Sequence, residues 1–143
     1  MDATPHPKAH YLRAASRITI PRGTTRGAAC WYRLVEEPAW PYFLVRELRF
    51  DGQGEAVTPL EHHSFIELHA TRGEIEVTLS APRRAGHRFT VTPARPAFLP
   101  ATLPYETITY CARGIACLQF FTRSAGIAHA APSRPASAES TGI

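Results

Sequence analysis

The sequence predicts one all-β domain whose strands close into a jelly-roll barrel. Three observations carry that prediction. Short runs rich in Val, Ile, Thr, Phe and Tyr recur along the chain, Pro and Gly punctuate them at close intervals, and no long window places apolar residues at helical spacing. Eight or nine such strands within 143 residues favour closure over an open sheet, because a barrel leaves fewer unpaired edges.

In chain order the predicted strands are SRITI (16–20), AACWYRLV (28–35), PYFLVRELRF (41–50), SFIELHAT (64–71), EIEVTLS (74–80), HRFTVTP (87–93), AFLP (97–100), YETITYC (105–111) and GIACLQFFT (114–122). The intervening PRGTTRG, EEPAW, DGQGE, TRG, APRRAG, PARP, ATLP and ARG read as connections of ordinary length. Pro100 and Pro104 cannot sit inside a central strand, so the segment between them marks a sharp corner.

The ends differ from the middle. Residues 1–10 are polar with two prolines, and 125–143 are rich in Ala, Ser and Pro, so both are expected to be disordered tails around a domain at 11–124. The chain has no uncharged apolar run of membrane-spanning length, and its N-terminus lacks the apolar core of a secretion signal. A cytoplasmic protein without a membrane partner is the expectation. Cys30, Cys111 and Cys117 are odd in number and lack CxxC spacing, so they are expected as reduced thiols. The net charge of +4 comes from arginines scattered along the chain, with only Arg83 and Arg84 adjacent, so no nucleic-acid partner is expected.

Chemistry concentrates in EHHSFIELHATRGEIEVTL, residues 61–79. With a strand's period of two, one face carries Glu61, His63, Phe65, Glu67, His69 and Thr71, and the other carries His62, Ser64, Ile66, Leu68 and Ala70. Four His and Glu groups on one face could coordinate a metal or move protons, while an antiparallel strand with one solvated face gives the same pattern. Sequence alone leaves the register open.

The same run resembles the first motif of the cupin barrels, an HxH pair followed by a glutamate and a turn glycine, with Gly73 as that glycine. Counting back at the motif's spacing puts the glutamate on Ile66 and keeps a single ligand, His62; a bulge would instead bring in His63 and Glu67, with Glu61 in place of the first histidine. Pro100 to Tyr105 resembles the second motif's corner, with Tyr105 where the last metal ligand would stand. No metal and no other cofactor are therefore expected.

Residues 17–123 together resemble the metal-independent cupins that act as nucleotide-sugar 3,4-ketoisomerases, relatives of the dehydrorhamnose epimerases. The resemblance rests on Arg26-Gly27, Trp40-Pro41-Tyr42, Arg46 to Phe50, Phe65 to Gly73, and Phe98 to Glu106, in that order. The family's HAH pair and preceding arginine have no counterpart in AVTPLEHH. The resemblance implies a cupin double-stranded β-helix and a metal-independent isomerase acting by proton transfer on a small carbonyl compound such as a nucleotide-linked ketosugar. On that reading His63 or His62 is the general base, Glu61 or Glu67 orients it, and Tyr105 is the acid. Glu67, His69, Arg46 and Glu106 are candidate substrate contacts, with Arg46 and Arg49 suited to a phosphate or carboxylate. A cyclase or lyase of specialised metabolism and a non-catalytic binding or dimerisation module are the alternatives. Ile18, Ile20 and Tyr42 to Val45 read as strand material paired across a two-fold axis, so a homodimer is expected.

Overall fold

The computed structural model describes residues 15–34, 43–62 and 64–123. Nine strands are present among them: β1 Ser16–Ile18, β2 Thr24–Arg33, β3 Phe43–Pro59, β4 Ile66–Arg72, β5 Ile75–Ala81, β6 Arg84–Val91, β7 Ala97–Leu99, β8 Thr107–Ala112 and β9 Ile115–Arg123. All pairings between them are antiparallel. The tails expected at 1–10 and 125–143 lie outside the described residues, as do all of EEPAW and the start of PYFLVRELRF.

The largest difference from the sequence reading is DGQGE, which is part of the 17-residue β3 and no turn. The first half of β3 pairs with β9, from Phe43↔Arg123 to Asp51↔Ile115, and its second half pairs with β8, from Gly54↔Ala112 to Pro59↔Thr107. β3 therefore crosses from one layer of the barrel to the other. Glycine permits that crossing: a Cβ on Gly54 would stand 2.9 Å from the Ala29 nitrogen, and Gly27, at φ +68, faces it where the β2–β3 register shifts. The same close pairing draws Thr24 to Gly27, read from sequence as a connection, into β2.

One layer consists of β1, most of β2, the first half of β3, β9, β4 and β7; the other consists of the second half of β3, β8, β5 and β6. Period-two alternation aims Trp31, Leu48, Phe50, Leu68, Ala70, Leu118 and Phe120 from the first layer into the core, against Ala56, Ile75, Val77, Leu79, Ile108 and Tyr110 from the second. Each such Leu, Ile or Val, fully removed from water, contributes roughly 1.5–3 kcal/mol. Aromatic packing fixes the centre: the Trp31 ring meets Tyr110 edge-on at 5.5 Å between centroids and Phe120 at 6.2 Å.

Candidate functional site in the barrel interior

The inner face is not wholly apolar. β2 contributes Arg33 at the same parity as Ala29 and Trp31, and β3 contributes Arg46 at the parity of Leu48 and Phe50; the two arginines are directly paired across the strands. The Arg46 guanidinium lies over the Phe120 ring, 5.5 Å from its centroid, and its Nη1 faces Glu61 Oε2 at 3.5 Å. Glu61 follows β3 and is more exposed than Arg46, with side-chain exposures of 30% and 14%, so the pair marks the way from the interior to solvent.

From the opposite layer, β8 sends Tyr110 inward between Ile108 and Ala112, where it is fully buried. Burial pushes the Tyr110 phenol well above its ordinary value of 10.0, Arg46 and then the neighbouring Thr58 hydroxyl pull it down, and Glu61 pushes it up. Tyr110 thus stays protonated at neutral pH and is a hydrogen-bond donor there. Its hydroxyl nevertheless has no partner at hydrogen-bonding geometry among the described residues, although Thr58 lies beside it. Trp31 Nε1, Arg33 Nε and Arg46 Nε are likewise buried without a hydrogen-bond partner among the described residues. Leaving a buried polar group unpaired costs about 1–3 kcal/mol each, so this cluster of orphan donors makes the interior the candidate site.

The residues singled out from sequence fall into separate places. His63 lies outside the described residues. Of the two registers left open for 61–71, the structure has the one that buries Ile66, Leu68 and Ala70, so Glu67 and His69 are on the outer face. There they pair with each other, His69 Nε2 to Glu67 Oε1 at 3.1 Å, and the His69 ring abuts Phe121 edge-on. The physical reason is the ordinary one for an antiparallel strand, whose apolar face turns to the core and whose polar face is wetted. His62 is exposed, with Nδ1 3.2 Å from the Ala101 carbonyl, to which it donates in the Nδ1-protonated tautomer. Tyr105 lines an open groove of about 580 Å3 with Phe89, Phe98, Leu103 and Pro104, away from the arginine pair. Glu106 is exposed and acts through its backbone, accepting from Leu60 N at 2.8 Å and donating to Ser80 O at 2.9 Å. Arg49 sits on the outer face, where its Nε donates to Glu47 Oε1 at 2.7 Å and its guanidinium lies over Tyr32, 3.9 Å from the ring centroid.

The structure therefore brings Arg46 and Glu61 together with Trp31, Arg33 and Tyr110, three residues that sequence reading passed over. The available signal was parity: Arg33, Arg46 and Tyr110 are polar residues at inward positions of otherwise apolar alternations. Among the described residues no three His, Cys, Asp or Glu side chains stand together as metal ligands. Among the described residues the interior presents guanidinium, indole and phenol donors beside the single Glu61 carboxylate.

Comparison with protein-family models gives no match, and comparison with curated protein sequences gives none. Comparison with solved structures does. Oxalate decarboxylase of Bacillus subtilis superposes with a TM-score of 0.53 at 10% identity, over 76% of this chain and 29% of its own. EutQ of Clostridium difficile gives a TM-score of 0.53 at 11% identity, over 76% of each chain, and an oxalate oxidase gives 0.54 at 13%, over 68% of this chain and 52% of its own. This chain thus spans less than a third of the oxalate decarboxylase chain. Identities this low speak to fold, and the fold is the cupin double-stranded β-helix.

Proposed function

We propose that this cupin barrel binds a small carbonyl compound in its interior and moves a proton on it through an enol or enediol, as a metal-independent isomerase does. The observation that supports the reading is the placement of the Tyr110 hydroxyl, buried and without a hydrogen-bond partner among the described residues, with the Arg46–Glu61 pair. A carbonyl oxygen lodged there would accept from Tyr110 Oη and Trp31 Nε1, donors already fixed in position and held out of water. As the α-carbon loses its proton, charge grows on that oxygen and both hydrogen bonds strengthen. The Glu61 carboxylate, oriented by Arg46, is the base that takes the α-proton; on a plain ketone it returns it to the same carbon, and on an α-hydroxy carbonyl it delivers it to the former carbonyl carbon of the enediol while the hydroxyl proton leaves to restore the proton Tyr110 gave. Tyr110, kept protonated by burial, is the donor to the enolate.

The roles proposed from sequence move accordingly: Glu61 passes from orienting group to base, and Tyr110 replaces Tyr105 as the inner hydroxyl. The resemblance of Arg46 to Phe50 and Phe65 to Gly73 to the ketoisomerases suggests this reaction class, although the family's HAH pair and its arginine have no counterpart in AVTPLEHH. The test is solvent exchange. Small ketones and keto acids incubated with the protein in D2O should lose α-proton NMR signal faster than in buffer alone, and E61Q should slow that exchange by about 100-fold or more. Exchange no faster than buffer across the panel, or E61Q as active as the parent, would overturn the proposal.

A further inference from the structure

The two arginines of the inner wall carry the reading one step further, to the class of substrate. Arg33 and Arg46 are cross-strand partners, and like charges placed so repel unless a counter-charge joins them. Glu61 reaches Arg46 through Nη1, which leaves the Arg46 Nε–H uncommitted, and Arg33 Nε is buried with no partner among the described residues. Among the described residues, the two guanidiniums and the Glu61 carboxylate that pairs with Arg46 leave a single positive charge on this half-buried wall. Beside them stand two neutral donors, Trp31 Nε1 and Tyr110 Oη.

We infer that the natural substrate is a small monoanionic keto acid, its carboxylate held by the Nε–H edges of Arg33 and Arg46 and its carbonyl oxygen by Tyr110 and Trp31. This rests on the proton-transfer reading and deepens it. Charge matching selects the class: one carboxylate neutralises the surplus, whereas a phosphate dianion or a nucleoside diphosphate brings at least one negative charge too many. Guanidinium N–H donors in a fork also match the two coplanar oxygens of a carboxylate. Bulk agrees, since the Trp31, Tyr110 and Phe120 rings pack edge-on at the centre of the barrel, an arrangement suited to a small ligand rather than a nucleotide.

The experiment compares pyruvate with its neutral isostere pyruvamide, with inorganic phosphate and with a nucleoside diphosphate sugar. Binding is read by thermal shift and intrinsic tryptophan fluorescence on the full chain. Pyruvate is expected to bind about tenfold tighter than pyruvamide or better, from one charge-assisted hydrogen bond, and tighter than either phosphate compound. R33Q should reduce the preference for pyruvate over pyruvamide to about threefold or less, and R33K should restore part of it. The comparison of ligands on the unaltered protein needs no variant to fold. Equal affinity for pyruvate and pyruvamide, with α-proton exchange still catalysed on pyruvamide, overturns the keto-acid class and leaves the proton-transfer reading standing. Tightest binding of the nucleotide sugar overturns the class as well. Binding of none of the four, with no exchange, overturns both.

Discussion

Replacing Tyr110 by Phe removes one oxygen from a fully buried side chain and nothing else. In ordinary cores that change is costly, because the hydroxyl is hydrogen-bonded and its partner is left behind. Here the hydroxyl has no partner among the described residues, and the ring keeps its edge-on contact with Trp31 at 5.5 Å. The ligand-free protein should therefore gain about 1 kcal/mol or more, since an unpaired buried polar group costs about 1–3 kcal/mol. For a domain of this size, 1 kcal/mol corresponds to a Tm increase of about 3–5 °C. Urea unfolding followed by far-UV circular dichroism reads the change as a higher midpoint at constant slope. The same variant should lose affinity for small carbonyl compounds, giving the opposed signs expected of a binding group held at the expense of stability. A Y110F protein less stable than the parent by about 1 kcal/mol would mean the hydroxyl is satisfied in the free protein, and the reasoning would be wrong.

Other outcomes follow from the same geometry. Tyr110 is raised above 10.0, and Cys117 is pushed up by burial to about 11 from 9.0; raised acids bind protons more tightly when folded. Their contribution to stability is thus complete below the unfolded values and lost as pH rises through the folded ones, so unfolding at successive pH values above 9 should show declining stability that C117S and Y110F each reduce. Glu55 shifts the opposite way: the hydrogen bond from Arg26 holds it below 4.5, so its contribution is present above that value and lost as pH falls through the lowered one, and R26Q should flatten the acid limb. Ala at Gly73, where φ is +71 and a Cβ would stand 2.5 Å from the Ile115 carbonyl, should destabilise by about 1–3 kcal/mol in urea melts. E67A and H69A, on the outer face, should change stability by no more than about 0.5 kcal/mol and leave ligand affinity unchanged in the same assays.

The strands were legible because their alternation is local: Ile108, Tyr110 and Ala112, or Ile66, Leu68 and Ala70, announce an inner face without any knowledge of the partner strand. DGQGE was misread because glycines mark turns and strand bends alike, and only the pairing of Gly54 against Gly27 and Ala29 distinguishes them. The site was less legible for the same reason. His and Glu at 67 and 69 are conspicuous in sequence yet occupy the wetted side of β4, whereas Arg33, Arg46 and Tyr110 are far apart in sequence and meet only through the β2–β3 pairing and the closure of one layer over the other. Glu61 was singled out from its neighbours in the sequence, and its pairing to Arg46 could not be read there. The homodimer expected from Ile18, Ile20 and Tyr42 to Val45 stays a proposal; Ile20 packs in the chain's own core and, among the described residues, β1 pairs with β2 alone, so sedimentation of the intact protein is the appropriate check.

The central claim, that the barrel interior bounded by Arg46, Glu61, Tyr110 and Trp31 is where a ligand binds, is tested most directly by a crystal structure of the protein with pyruvate. Ligand density within hydrogen-bonding reach of Tyr110 Oη and Trp31 Nε1, with a carboxylate on Arg33 and Arg46, is the predicted result. Density confined to the outer groove at Phe98 and Tyr105, with the interior donors engaged by protein groups, would contradict it.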